Sequence, residues 1–223
     1  MNKRYARIGL IGDIHAEDAL LEQALDVLRS RGVELVAATG DVTDGLGSVE
    51  RCCELLEAHE VVVVGGNHDR WFLAGTARGL PAATPPEAVS LAARRTLEGF
   101  PLMVELETCA GRALLCHGLG PNDMAKVNPD DDGYAIDSND DLQNLLRGGG
   151  YRWILNGHSH RWMVRHFGGV TVINAGTLKR DHDPCFLELD FTARTGSLFS
   201  FDANLKVAAD VRALALDGLA RTS

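Results

Sequence analysis

The run RIGLIGDIH, residues 7–15, sets an apolar stretch directly against Gly12, Asp13 and, two residues on, His15. The arrangement recurs down the chain. Leu35 to Gly40 is followed by Asp41, and Val61 to Gly66 by Asn67, His68 and Asp69. Ala113 to Cys116 is followed by His117, and Trp153 to Gly157 by His158 and His160. Short apolar runs bounded by glycine read as buried strands, so five strands each deliver metal-capable side chains just past their carboxyl ends. In open α/β sheets that edge is where ligands bind.

Each piece has a plainer explanation when taken alone. A strand-end aspartate such as Asp13 or Asp41 is more often a turn former than a ligand. Asn67, His68 and Asp69 fit a polar loop, and His117 fits an edge histidine with an ordinary hydrogen bond. Five such edges in one chain outweigh those explanations, and five of the eight histidines sit in them, leaving His59, His166 and His182 elsewhere. Imidazole, carboxylate and amide donors without a thiolate suit Mn, Fe, Zn or Co better than Ca or Mg. The candidate ligands Asp13, His15, Asp41, Asn67, His117, His158 and His160 are too many for one ion. Two ions sharing a bridging carboxylate would use them all.

Around these motifs the first half follows a βαβ rhythm, the signature of an α/β sheet. Leu21, Leu25 and Leu28 recur at helical spacing before a stop at Gly32, and Ser48 can cap a second helix carrying Leu55 and Leu56. Residues 70–100 break the rhythm as an insertion at one rim. There Thr84, three before Glu87, and Pro85 predict the start of a helix that Gly99 and Pro101 end. The second half predicts strands over 102–106, 113–116, 153–155, 163–167, 170–173, 186–191 and 198–201, with turns at Gly168-Gly169 and Thr195-Gly196. Asn122 to Asp141 reads as an acidic loop leading into a short helix capped by Ser138. The tail from Asp202 is expected to be a helix with Val207, Val211 and Leu214 inward.

The 223 residues are enough for one sizeable core, read as a single domain over 1–223. A net charge of −9 makes duplex nucleic acid a poor partner, yet bound cations can locally reverse the field for a phosphate. No apolar run of the roughly 18 residues that marks a membrane span is present, and the apolar stretch after Arg7 is broken at Asp13, so neither a membrane span nor a signal peptide is expected. Five cysteines without CxxC spacing fit buried, reduced thiols and a cytoplasmic setting.

Together the motifs resemble those of the calcineurin-like metallophosphoesterases. They stand here as Gly12-Asp13-Ile14-His15, Gly40-Asp41, Gly66-Asn67-His68-Asp69, Cys116-His117-Gly118 and Gly157-His158-Ser159-His160, in the family's order. The resemblance implies a four-layer α-β-β-α sandwich: two mixed sheets flanked by helices, with metals at the carboxyl edge. It implies one metal on Asp13, His15, Asp41 and His160, and a second on Asp41, Asn67, His117 and His158, with Asp41 bridging. It makes His68 the residue that contacts the phosphate or leaving group. It places Asp44 where some relatives carry an acid that orients this histidine, although a turn beside Gly45 explains Asp44 nearly as well. The ions expected are two divalent metals, Mn first, with Fe, Zn, Co or Ni as the others.

Two cations about 3.5–4 Å apart would lower the pKa of a shared water, so that the resemblance implies attack on phosphorus in line by hydroxide while His68, if protonated, would donate to the leaving oxygen. The double histidine resembles small bacterial phosphodiesterase-type members, which favours a small phosphodiester or nucleotide substrate. A phosphomonoesterase, or a nucleotide or protein phosphatase, is the alternative. Protein phosphatases carry an arginine just after the acid corresponding to Asp44, where this chain has Gly45. A non-catalytic scaffold, as in relatives that have lost ligands, is a third reading that the intact motifs argue against. Arg70 is a candidate phosphate contact and Trp71 could stack on a base, though an insertion surface or a core aromatic is the plainer reading. Asn174-Ala175-Gly176-Thr177 would brace the double-histidine loop. Asp130-Asp131-Asp132 lacks the spacing of a calcium loop. Oligomeric state is left open by the sequence.

Overall fold

The computed structural model describes residues 3–217. Each βαβ prediction of the first half holds. Strands β1 (Arg7–Ile11), β2 (Leu35–Ala38) and β3 (Val62–Val63) run parallel, joined by helices α1 (Asp18–Ser30) and α2 (Val49–Ala58). Helix α1 buries Leu20, Leu21, Ala24, Leu25 and Leu28. Gly9 lets it sit directly on the sheet, since a Cβ there would lie 2.6 Å from Leu28 Cδ1. Helix α2 is capped by Ser48, whose hydroxyl accepts from Arg51 N, as the sequence predicts.

Helix α3 (Asn67–Ala74) opens within the third motif, and α4 (Leu91–Glu98) follows it. The insertion is helical, and part of it packs into the core. Phe72, Ala93 and Leu97 are buried in the same core as α1 and α2. The single helix expected from Thr84 is instead a 3-10 turn at Pro86–Ala88 and then α4, which Ser90 caps. Val89 is extended between them, and the Thr84 hydroxyl is taken by Asp44 N.

The remaining strands are β4 (Met103–Thr108), β5 (Gly111–Cys116), β6 (Trp153–Asn156), β7 (Met163–Phe167), β8 (Val170–Asn174), β9 (Cys185–Asp190), β10 (Thr195–Phe201) and β11 (Val207–Ala215). They complete two mixed sheets, in the orders β11-β10-β9-β1-β2-β3 and β4-β5-β6-β8-β7. Ile8 and Leu10 from the first sheet and Leu115, Trp153 and Leu155 from the second share one core. The outer face of the first sheet is covered by α1, α2, α3 and α4. The second sheet's outer face meets Leu142 of α6 (Asp140–Arg147), which follows the short α5 (Gly133–Asp137). The architecture is the four-layer α-β-β-α sandwich.

Three local expectations are corrected. The tail forms β11 rather than a helix: Asp202 accepts from Asn204 N and Lys206 N in a tight loop that returns the chain along the open edge of β10. Strand pairing there overrides the helical propensity of an alanine-rich segment. The turn before β10 lies at Phe191–Arg194, and Thr195 already pairs with Asp190 and Ala215. Asn139, not Ser138, caps α6 by accepting from Leu142 N, while Ser138 Oγ donates to Tyr134 O. Four of the five cysteines are buried; Cys109 is exposed. Among the described residues no helix is long and apolar enough to cross a membrane.

Candidate metal centre

Strands β1, β2, β3, β5 and β6 end at one edge, and the loops that leave them are tied together by backbone. His15 N donates to Asp41 O at 2.7 Å, Gly157 N to His117 O at 2.9 Å, and Leu178 N to Asp13 O at 3.1 Å. Five residues there, His15, Asp41, Asp44, His158 and His160, hold a positive φ between 48° and 67° or, at His15, 47°. L-residues adopt that region at a cost, and such strain clusters where side chains must be aimed at a site. Gly66 and Gly157 permit the close approach. A Cβ on Gly66 would lie 2.1 Å from Asp41 Oδ1, and one on Gly157 would lie 2.3 Å from Asp13 Oδ1.

Two groups of side chains converge within reach of a common ion. One is His15, Asp41 and His160; the other is Asp13, Asp41 and His117. Asp41 belongs to both. Its Oδ1 accepts from His68 N at 2.8 Å. Its Oδ2 lies 3.3 Å from His117 Nε2 and 3.9 Å from His15 Nε2. Asn67 Oδ1 lies 2.9 Å from His117 Nε2. Asp13 stands between the groups, since its Oδ2 also comes within 3.5 Å of His160 Nε2. His158 is at the margin, its ring 5.2 Å from that of His117.

The donor chemistry fits cations. His15 Nδ1 donates to Asp44 O at 2.9 Å and His117 Nδ1 to Thr39 O at 2.7 Å, which turns each Nε2 inward. His15 Nε2 then faces His160 Nε2 at 3.0 Å, and His117 Nε2 faces two oxygen acceptors. The buried Asp13 Oδ2 has no hydrogen-bond partner at all. Lone pairs crowded together with so few protons between them match a site built for metal ions.

Charge follows the same geometry. Burial lowers the pKa of His158 to about 4 and of His160 to about 3, and it lowers His15 as well, so all three are neutral at pH 7. Burial also opposes a charge on His117, but Asp41 and Asp13 outweigh it and hold His117 protonated to about 10. In the metal-free protein that proton takes the place of a cation. Burial raises Asp13, whereas for Asp41 the surrounding histidines overcome burial and push its pKa down.

His68 stands beside these groups but in neither. Its Nδ1 donates to Asp44 Oδ2 at 2.8 Å, and its ring lies 4.9 Å from those of His15 and Trp71. Burial acts against its charged form. The Asp44 hydrogen bond and the Asp41, Asp44 and Asp69 charges prevail and raise its pKa. Asp44 itself is brought down to about 2 against burial by His68 and Arg78. Asp69 carries no ligand role; its carboxylate accepts from Val42, Thr43 and Gly66 backbone and locks the Asp41 loop to the Asn67 loop. Arg70 is paired with Asp123 through two bonds of 2.7 and 2.9 Å, linking α3 to the loop that follows β5. Asn174 and Thr177 brace the site as expected, donating to Gly157 O and Asp13 O.

Arg78 and Arg180 carry no sequence signal and Thr84 carries that of a helix cap, yet all three hold this edge. Arg78 and Thr84 bond Asp44, and Arg180 grips the buried Glu17 beside the His15 loop. His182 comes within 5.2 Å of the His160 ring. A cleft of about 760 Å³ opens next to His160, lined in part by Trp162, Met163, Arg165 and His182.

Solved structures share the architecture. A metallophosphoesterase from Sphaerobacter thermophilus aligns with a TM-score of 0.65 at 18% identity, covering 89% of each chain. Vacuolar Protein Sorting 29 from Cryptosporidium parvum aligns at 0.57 and 18%, covering 96% of this chain and 100% of that one. An archaeal phosphodiesterase aligns at 0.55 and 16%, covering 87% and 99%. The sequence model of the calcineurin-like phosphoesterase superfamily domain matches residues 6–193, which contain every motif residue at the edge just described. The chain belongs to the calcineurin-like phosphoesterase superfamily.

Proposed function

We propose that this protein hydrolyses phosphodiesters with two divalent metal ions, Mn²⁺ foremost, sharing Asp41. Asp13, His15, Asp41 and His160 would hold one ion, and Asp41, Asn67, His117 and His158 the other. The observation that carries the reading is that Asp41 belongs to both ligand groups, while His68 belongs to neither and is hydrogen-bonded to Asp44 instead. Bound there, the ions would make a water nucleophilic near neutral pH and stabilise charge on the phosphoryl oxygens.

The protein's own residues supply the rest. His68 keeps Nε2 free because Nδ1 is engaged by Asp44, and the Asp44 bond and nearby carboxylates raise its pKa in favour of the protonated form. It can therefore hand a proton to the departing oxygen as the ester bond breaks. Asp44, ionised at neutral pH, holds the ring's orientation and stabilises its charge. The half-exposed Arg70, already paired with Asp123, shapes the rim where the phosphate enters. The cleft beside His160 offers room for a second ester substituent, which a monoester does not have. That favours diesters.

The fold likeness to Vacuolar Protein Sorting 29 keeps a non-catalytic scaffold as the competing reading. Hydrolysis of bis-aryl against mono-aryl phosphates with added Mn²⁺ separates the possibilities. Faster diester turnover supports the proposal. Faster monoester turnover would replace it with a phosphomonoesterase, and metal uptake without turnover of either would favour a scaffold.

A further inference from the structure

Asp44 sits at the centre of a clamp that comes wholly from the insertion. Arg78 Nη1 donates to Asp44 Oδ1 at 2.8 Å, and Nη2 donates to Oδ2 at 3.0 Å. Thr84 N donates to Oδ1 at 2.9 Å, and the Thr84 hydroxyl accepts from Asp44 N at 2.8 Å. Asp44 Oδ2 is thereby turned toward His68 Nδ1. The chain reverses after α3 through left-handed residues at Gly75 and Ala77, which carries Arg78 back over the site. Its guanidinium lies 5.8 Å from the Phe72 ring, and its side chain is 19% exposed.

Two roles are open to an arginine in this position, and its hydrogen bonds decide between them. A phosphate-gripping arginine keeps donors free for the incoming oxygens. Arg78 spends Nε on Thr76 O at 2.7 Å and one N–H of each terminal nitrogen on Asp44, so three of its five donors are engaged and no two-donor edge of the guanidinium is left whole. A bidentate fork fixes the plane of a carboxylate as a single point charge cannot. We infer that Arg78 is a positioning residue: with Thr84 it fixes Asp44, and through Asp44 it holds the His68 imidazole in line with the departing oxygen. The insertion is then part of the acid machinery. This rests on the acid role of His68 proposed above.

Assistance by an acid matters most when the leaving group is a strong base and least when it is a stabilised anion such as 4-nitrophenolate. The test measures kcat and KM over a series of aryl phosphodiesters of graded leaving-group basicity, for wild type, Arg78→Gln, Arg78→Lys and His68→Ala. Metal content and melting temperature are measured on the same samples. Arg78→Gln should lose about tenfold or more in kcat on the most basic leaving groups and little on 4-nitrophenolate, with KM and metal content unchanged. Arg78→Lys should recover only part of the loss. In the metal-free protein, the Nδ1 proton resonance of His68 should be protected in wild type and lost to exchange in Arg78→Gln. A loss equal across the series, a rise in KM at constant kcat, or an unchanged Nδ1 proton would overturn the role of Arg78. If His68→Ala is also insensitive to the leaving group, the acid role of His68 fails first, and the inference fails with it.

Discussion

His68 and Asp44, 24 residues apart in the chain, are joined by a 2.8 Å hydrogen bond in which Nδ1 donates to Oδ2. The bond engages Nδ1 and leaves Nε2 as the ring nitrogen free of Asp44. It also stabilises the charged ring against the cost of its partial burial.

A pH dependence follows. The folded pKa of His68 is raised, so its protonated form persists above the ordinary imidazole range and is lost as pH rises through the raised value. The alkaline limb of kcat should therefore lie above about pH 6.5 and move to lower pH in Asp44→Asn, which removes the charge but keeps the shape. An alkaline limb that does not move in Asp44→Asn would contradict the pairing.

Replacing His68 by alanine should leave both metal positions intact and reduce kcat by ~10²–10⁴-fold on substrates with basic leaving groups. Elemental analysis beside steady-state kinetics reads both quantities. Wild-type turnover with such substrates would remove His68 from the mechanism.

Much of this site is legible in the primary structure because it is local to strand ends. Asp13, His15, Asp41, Asn67, His117, His158 and His160 each follow an apolar run within a few residues, and parallel pairing then aligns those ends at one edge. Arg78 and Thr84 are not legible in that way. They reach Asp44 across 34 and 40 residues from a segment with no period, and Thr84 mimics a helix cap while serving another loop. Strand β11 escapes for a related reason. Its alanines, with Val207, Val211 and Leu214, fit a helix until the Asp202 loop returns them to the edge of β10.

Gly66→Ala tests how closely the Asn67 loop must approach Asp41. Its Cβ would lie 2.1 Å from Asp41 Oδ1 and 2.6 Å from Asp41 N, so one of the two loops must shift. Overpacking of this kind costs about 1–3 kcal/mol. The variant should melt lower than wild type and bind metal more weakly. Wild-type melting and metal affinity together would show that the contact tolerates a side chain.

Metal uptake should release protons. His117 is held protonated near neutral pH by Asp41 and Asp13 in the metal-free protein and must be neutral to ligate. Mn²⁺ binding at pH 7 should therefore release about one proton per chain, and affinity should weaken as pH falls. Calorimetry in two buffers of different ionisation enthalpy checks this. Heats that do not depend on the buffer would contradict it.

The sharing of Asp41 is the centre of the account, and metal stoichiometry tests it most directly. The wild-type chain should bind two Mn²⁺ ions per molecule at saturation and hydrolyse a bis-aryl phosphate. Asp41→Asn should lose tight binding at both positions and turnover with it. Two ions bound as tightly in Asp41→Asn, with an unchanged rate, would contradict the shared carboxylate and the mechanism built on it.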